Sequence, residues 1–394
     1  MLFSFAVFIL TAMLLAKLFE KLHMPPLLGM LFTGILLGSY SKDYFVYEKG
    51  FTFLNSFFIS DKILDVSNEL RTLVLIRAGL GIDKEVLKKI GKTAIKMASL
   101  PCLFEGFTVM FAAHFILGYS FPIAGCLGFI LAAVSPAVVV PEMLALKDKG
   151  LGKEKEIPTI ILAGASIDDV FAITLFTAFL GEGVNIFQEI SKIPISIFSG
   201  LALGLFTGYI LYLLFKYFHI RDTRKALIFL ITAIMFHHIE EMKLFPIASL
   251  LGIMAMGFMI LAKDNSLAKR MALKFNKIWV FGEILLFVLI GAAVNIRVIF
   301  ESGHIGVLIV IIGLIGRLIG VTTALYNSNL NTKEKLFCGI SYIPKATVQA
   351  ATAGIPLAMG VPHGDTILAI GVLAIIITVP VGVTGIRLGR DTLL

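Results

Sequence analysis

Long apolar runs separated by short polar connectors make up most of this chain. Such runs suit helices that cross a bilayer, because about 20 helical residues span its hydrocarbon core. Lipid leaves backbone groups no partners but each other, so helices are expected, and runs such as ILLFVLIGAAV lack the alternation of a barrel strand. The pattern therefore predicts an all-α polytopic membrane protein. About 13 transmembrane helices are predicted, near residues 2–20, 26–40, 63–81, 98–118, 121–145, 157–181, 194–217, 223–239, 244–262, 278–296, 303–327, 334–358 and 363–386.

Composition supports the membrane interpretation. Of the 394 residues 58% are hydrophobic and 15% are charged, whereas soluble domains average about 45–50% apolar and about 25% charged residues. Soluble enzymes, coiled coils and disordered chains are therefore excluded. The net charge of +8 does not predict nucleic-acid binding, because the basic residues lie between apolar runs and form no single patch.

The basic residues of the loops predict an orientation. If the N-terminus lies outside, the cytoplasmic loops hold 24 lysines and arginines and the opposite loops hold 6, which fits the positive-inside rule with an odd number of spans. The first span has neither a basic leader nor a small-residue cleavage site, so it is expected to be retained. The segment 81–99 is either a basic amphipathic helix on the inner surface or a solvated connector.

Two spans carry prolines at corresponding places. Residues 135–141 read SPAVVVP in span five, and residues 343–349 read IPKATVQ in span twelve. Pro136, Pro141 and Pro344 are predicted to break these helices near the middle of the membrane. Pro136 and Pro344 lie 208 residues apart, and the two spans run in opposite directions. This pattern is typical of an inverted repeat with paired broken helices, and the alternative is two unrelated proline kinks.

An aspartate pair stands inside span six. Asp168 and Asp169 follow Pro158 by ten and eleven residues, which places them about 16 Å deep at about 1.5 Å per residue. Adjacent carboxylates in a low dielectric repel each other, so the pair favours holding a proton or a hard cation. Competition between the two is the chemistry of an exchanger, and a structural pair held by hydrogen bonds is the alternative. Ser135 and Ser166 are candidate oxygen ligands, unless each bonds its own helix backbone.

Three further charged residues within predicted spans are candidate site residues. Glu105 and Arg317 stand at similar depth in spans four and eleven, so a buried ion pair between them is expected, with either a functional or a structural role. Lys345 follows the break in span twelve. Its ammonium group is expected either to neutralise carbonyls at a half-helix end or to extend toward water.

No enzyme motif accompanies these charges. The chain contains no glycine-rich phosphate loop, Ser/His/Asp set or zinc spacing. An aspartyl protease needs two carboxylates that face one water, which neighbours on one helix do not provide. The cysteines Cys102, Cys126 and Cys338 lie in apolar runs and are expected to be buried and unpaired. We therefore predict neither an enzyme nor a cofactor.

At these residues the chain resembles the monovalent cation/proton antiporters, and among them the NHA branch of sodium/proton exchangers. The resemblance rests on LVLIRAGLGID (73–83), LPCLFEG (100–106), AVSPAVVVPEML (133–144), the Asp168–Asp169 helix and YIPKATVQAA (342–351). It implies an inverted-repeat antiporter fold with two crossed broken helices, assembled as a homodimer. The implied division is a dimerisation domain of residues 1–97 and 223–296, a linker helix at 194–217, and a transport core of residues 98–181 and 303–394.

The resemblance also implies roles for individual residues. Asp169 and Asp168 match the ion-binding aspartates, and Glu105 and Arg317 match an ion pair of this branch. Electrogenic relatives place a lysine on the helix that here carries Arg317. Arginine does not deprotonate in proteins, so Arg317 is not expected to carry a second proton, and the stoichiometry stays open.

The predicted function is exchange of Na⁺ or Li⁺ for H⁺ in an inner or plasma membrane, with the C-terminus in the cytoplasm, and the resemblance implies that the transport core moves like an elevator. The expected partners are these ions, the lipid bilayer and a second copy of the chain. A K⁺-conducting channel or efflux system of the same fold is the alternative. An organic-anion symporter is disfavoured, because the aspartates would repel an anion.

Overall fold

The computed structural model describes residues 2–48, 58, 92–152, 154–180, 186–218, 220–242, 247 and 249–393. All regular secondary structure in these ranges is helical, including a π-helical segment at Asp43–Glu48. The α-helices are α1 (Leu2–Lys21), α2 (Pro26–Leu37), α3 (Ser39–Lys42), α4 (Lys92–Leu117), α5 (Phe121–Leu131), α6 (Pro136–Asp148), α7 (Ile157–Leu180), α8 (Ile186–Tyr217), α9 (Asp222–Glu241), α10 (Ser249–Lys263), α11 (Asn265–Ala292), α12 (Ile296–Ala324), α13 (Thr332–Ser341), α14 (Thr347–Thr352), α15 (Ile355–Ala358) and α16 (Gly364–Thr392).

Many of these helices are suited to a membrane. Within the described ranges, six stretches are long and apolar enough to cross one, and the two halves of α11, bent by 47°, would make a seventh. The six are Phe3–Lys21, Ile95–Leu117, Phe121–Asp148, Phe198–Tyr217, Gly303–Ala324 and Gly364–Arg390. The chain is thus an integral membrane protein, and its described regular elements are all helical. The predicted span 63–81 and most of the segment 81–99 lie outside the described residues.

Polar caps set the starts of several helices. Asn331 forms a reciprocal capping box with Glu334 at the start of α13, which satisfies two otherwise free N–H groups. At the start of α11 the backbone N–H of Leu267 donates to Asp264 over 2.9 Å and holds the pKa of that carboxyl below its usual range. These caps lie between apolar segments, where a helix end meets water.

Two sequence predictions about the helices were wrong. Residues 263–277, expected to form a cytoplasmic loop, are almost entirely helical and belong to the ends of α10 and α11. Leu267, Met271 and Phe275 are buried in the largest apolar cluster, so burial of this face outweighs the five basic side chains. Pro141 does not break a helix, because it lies in the second turn of α6 and removes only one intrahelical bond.

The helices pack in groups that are distant along the sequence. In the first half of the chain α4 packs on α5 and α7, and it also packs along α12 from the second half. Elsewhere α2 packs on α1 and α11, and α8 packs on α10. The largest apolar cluster runs through the first of these groups and continues into α9, α10 and α11. The contact between α4 and α12 brings Glu105 next to Arg317.

Candidate functional site

Two interrupted helices meet inside the protein. The first interruption separates α5 from α6 at residues 132–135, and the second separates α13 from α14 at residues 342–346. The backbone N–H of Ser135 donates to the carbonyl oxygen of Pro344 over 2.8 Å, so the two interruptions are in direct contact.

The prolines explain where the helices stop. Pro136 is the first residue of α6, where its missing N–H costs no hydrogen bond. Ser135 before it is extended, with φ −89° and ψ 106°, as expected for a residue that precedes proline. Pro344 lies inside the second interruption, which ends at Ala346 with φ −155° and ψ −81°. Each interruption leaves backbone groups without helical partners at a buried position.

Side chains from the second interruption and from α14 donate to carbonyl oxygens at the end of α5 and just beyond it. The ammonium Nζ of Lys345 donates to the carbonyl oxygen of Leu131 over 2.6 Å. The amide Nε2 of Gln349 donates to the carbonyl oxygens of Ile130 and Ala133 over 3.0 Å and 2.8 Å. The last carbonyls of a helix have no partners of their own and carry partial negative charge, so these donors stabilise the interruption.

Five ionisable side chains lie together beside the interruptions, and we call them the buried charge cluster: Glu105, Asp168, Asp169, Arg317 and Lys345. All are at most 5% exposed. Arg317 Nε donates to Glu105 Oε2, and Lys345 Nζ lies 2.6 Å from Glu105 Oε1. Arg317 Nη2 lies 3.5 Å from Asp168 Oδ2. The sequence predicted two alternatives for the ammonium group of Lys345. The side chain is completely buried, which excludes the alternative in which it extends toward water.

The two aspartates have different surroundings. Asp168 Oδ2 accepts a 2.7 Å hydrogen bond from the backbone N–H of Val134 in the first interruption. Asp169 makes no ion pair within the described residues. Neighbours on one helix point about 100° apart, which accounts for the difference.

The buried oxygens without a hydrogen-bond partner include Asp168 Oδ1, Asp169 Oδ1 and Ser135 Oγ. An unpaired buried oxygen is costly, and alkali cations bind oxygen ligands. Ser166 lies in α7, but its side chain is outside the described part of the structure.

The charge balance of the cluster limits what it can bind. Three carboxyl groups face two cationic groups, so one carboxyl is in excess when all five are ionised. One proton or one monovalent cation would neutralise that excess, and an additional anion would increase it. The cluster thus has the charge and the free oxygens for a small cation.

Sequence reasoning missed one residue here. Gln349 is completely buried and makes two of the hydrogen bonds that hold the interruption, yet only the charged residues of this segment were singled out. The available signal was its place four residues after Lys345, as the one amide among small and apolar residues in ATVQAA.

Within the described residues, other candidate chemistry is not assembled outside this site. The three cysteines are buried and unpaired. Across the described ranges, no group of three or more His, Cys, Asp or Glu side chains is arranged to hold a metal ion.

Comparison with known proteins identifies the family of the chain. The profile of the family described as "Sodium/hydrogen exchanger, transmembrane" matches residues 6–388. The chain is 32% identical over 384 residues to sodium/hydrogen exchanger 9B2 of Mus musculus, covering 91% of this chain and 66% of that protein. It is 31% identical over 389 residues to sodium/hydrogen exchanger 9B1 of Homo sapiens, covering 91% of this chain and 70% of that protein. The chain thus spans about two thirds of the length of these curated relatives.

A solved structure shares the fold. The sodium proton antiporter MjNhaP1 from Methanocaldococcus jannaschii, at pH 8, superposes with a TM-score of 0.79 over 99% of this chain and 97% of that protein. The sequence identity is 17%, so this likeness concerns the fold alone.

Proposed function

The chain belongs to the sodium/hydrogen exchanger family, and from this premise we propose that it exchanges Na⁺ or Li⁺ for H⁺ across a membrane. One observation carries the proposal beyond family membership. The buried charge cluster holds one carboxyl group in excess, at the place where two interrupted helices touch. One additional positive charge would neutralise this cluster.

In the proposed mechanism Asp169 is the main proton and cation carrier. When protonated, it is neutral and the site holds no cation. When ionised, it binds the cation together with Asp168 and, as further oxygen ligands, Ser135 and Ser166. The unpaired oxygens Asp168 Oδ1, Asp169 Oδ1 and Ser135 Oγ support this assignment, because buried oxygens without hydrogen-bond partners are suited to bind a cation.

Glu105, Arg317 and Lys345 are proposed to fix the positions of the groups that line the site. Arg317 and Lys345 both bind Glu105, and each also contacts an element of the site: Arg317 contacts Asp168, and Lys345 contacts the end of α5. Removal of the Arg317 or the Lys345 side chain would leave buried carboxylates or carbonyls unpaired.

The transport movement is proposed to be an elevator. Residues 98–181 and 303–394 would form a moving core, residues 1–97 and 223–296 the dimerisation domain, and 194–217 the linker helix. The bonds Ser135–Pro344, Lys345–Leu131 and Arg317–Glu105 each join the two halves of this core. They support a core that moves as one body, with two crossed broken helices at its centre.

The proposed setting is a homodimer with about 13 spans per copy in an inner or plasma membrane. The loop charges support an orientation with the N-terminus outside and the C-terminus in the cytoplasm. Protease access to a tag after Leu394 in sealed, right-side-out vesicles tests the orientation. Cleavage before the vesicles are opened would contradict it.

Substitution of Asp169 tests the exchange itself. In proteoliposomes with an imposed pH gradient, Asp169→Asn should reduce Na⁺- and Li⁺-driven proton movement by at least about tenfold, since the amide cannot release a proton. Asp148→Asn, at the exposed end of α6, is the control and should behave as wild type. Size-exclusion chromatography and melting temperature verify folding.

Normal cation-dependent proton flux in a folded Asp169→Asn protein would refute the assignment. A potassium/valinomycin clamp during the same assay reports the stoichiometry, because only electrogenic exchange depends on the membrane potential. The clamp also addresses the alternative function. K⁺ flux in wild type without proton movement would favour a channel of the same fold over an exchanger.

A further inference from the structure

The neighbours of Gln349 determine the orientation of its side-chain amide group. The side chain is completely buried, and one of its terminal atoms lies 3.0 Å from the carbonyl oxygen of Ile130 and 2.8 Å from that of Ala133. Two acceptors require a donor between them, so this atom is the NH₂ nitrogen. The opposite atom, Oε1, is buried and has no hydrogen-bond partner.

One of these bonds leads to the aspartate pair. The carbonyl of Ala133 and the N–H of Val134 belong to the same peptide unit. That unit accepts from Gln349 on one side and donates to Asp168 Oδ2 over 2.7 Å on the other. Hydrogen bonds in a chain polarise one another, so the donation from Gln349 strengthens the donation from Val134.

We infer that Gln349 is a positioning residue for cation binding, which holds the carboxylate of Asp168 through the peptide unit between Ala133 and Val134. This inference rests on the proposed exchange function. The peptide unit belongs to the first interruption, so no helical ladder holds it. Gln349 lies on α14 and supplies a hydrogen bond to this peptide unit in place of a helical one.

The consequence concerns the free oxygen of Asp168. Oδ2 is held by Val134 and faces Arg317, whereas Oδ1 has no hydrogen-bond partner. Loss of the Gln349 donor would release the peptide unit, and the carboxylate would lose its fixed angle. Cation affinity should fall more than the maximal rate, because Gln349 holds a ligand and carries no proton.

Two substitutions separate the donor from the free oxygen. Gln349→Met keeps the approximate shape and removes both groups, whereas Gln349→Glu, assayed at a pH at which its carboxyl group is ionised, keeps oxygens and removes the donor. Thr352→Val is the matched control, since Thr352 is buried on the same helix and bonds only its own backbone at Val348. Na⁺- and Li⁺-dependent exchange is measured in proteoliposomes, and thermal protection by Li⁺ is measured in detergent.

Both Gln349 variants should raise the half-saturating Na⁺ concentration by about tenfold, the effect of losing about 1.4 kcal/mol of binding. Both should reduce thermal protection by Li⁺, while Thr352→Val matches wild type. Wild-type half-saturation in Gln349→Glu alone would identify Oε1 as a direct ligand and overturn the positioning role. Wild-type behaviour of both variants would also overturn it.

The two proposals fail differently. Absence of exchange in wild type would contradict the proposed function and this inference with it. An active wild type with an unaffected Gln349→Met variant would contradict only the inference. If Gln349→Met does not fold, Gln349→Glu carries the test, because it changes the fewest atoms.

Discussion

At the scale of single residues, this protein buries charged side chains, and their burial has a large free-energy cost. Glu105 contacts both cationic groups of the buried charge cluster, and all three side chains are at most 1% exposed. Burial of an ion pair contributes little net stability, but removal of one partner leaves the other unpaired in a low dielectric. Glu105 is thus the carboxyl on which the arrangement of Arg317 and Lys345 depends.

Glu105→Gln should therefore destabilise the protein by about 3 to 5 kcal/mol, the usual cost of a broken buried pair. The melting temperature in detergent measures this. Glu154→Gln, at an exposed glutamate, is the control and should change the melting temperature little. An unchanged melting temperature in Glu105→Gln would show that the two cations find other partners, and would contradict the stabilising role.

At the scale of helices, glycines allow close approach where α2 crosses α11. A Cβ atom added at Gly34 would lie 2.0 Å from the carbonyl oxygen of Val288, and one added at Gly291 would lie 2.3 Å from that of Leu31. Small residues at such crossings let helix backbones pack closely without a hydrophobic driving force between them. These glycines thus determine the spacing of α2 and α11.

Gly34→Ala should separate these two helices and cost about 1 to 3 kcal/mol, as overpacking usually does. Thermal unfolding in detergent is the measurement. The matched control is Gly303→Ala on α12, where the nearest atom to an added Cβ, Ile299 Cγ2, is 3.8 Å away. Equal melting temperatures for the two variants would mean that the crossing tolerates the added methyl group.

At the scale of the whole molecule, one arginine joins distant parts of the chain on one face. Arg387 of α16 binds Glu142 of α6 through Nε at 3.0 Å and Nη2 at 2.8 Å. Its Nη1 donates to the carbonyl oxygen of His23 over 3.0 Å. His23 ends α1 in a left-handed turn with φ 60°, closed by the bonds His23 N to Glu20 O and Met24 N to Phe19 O. Arg387 and Glu142 belong to the proposed core, and His23 belongs to the proposed dimerisation domain.

A cross-link across this contact tests the elevator. Cysteines at His23 and Arg387, joined by a short bismaleimide, should arrest exchange, because the core could no longer move past the α1–α2 turn. The three native cysteines are buried, so background labelling should be low. The control joins cysteines at Glu142 and Arg387, both within the core, and should leave exchange unchanged. Full exchange with the His23–Arg387 link in place would contradict an elevator movement.

The sequence alone determined the all-helical membrane class, the prolines at the interruptions and the presence of an aspartate pair within an apolar run. These follow from local quantities: apolar length, the rise per residue and the missing N–H of proline. It did not determine that Pro141 stays helical, that residues 263–277 form helix, or that Gln349 holds the end of α5. Those outcomes depend on how each helix is rotated and which neighbour it packs against. Only the tertiary structure decides which buried donor meets which buried acceptor, because hydrogen bonds act over about 3 Å whereas a one-residue rotation of a helix turns a side chain by about 100°.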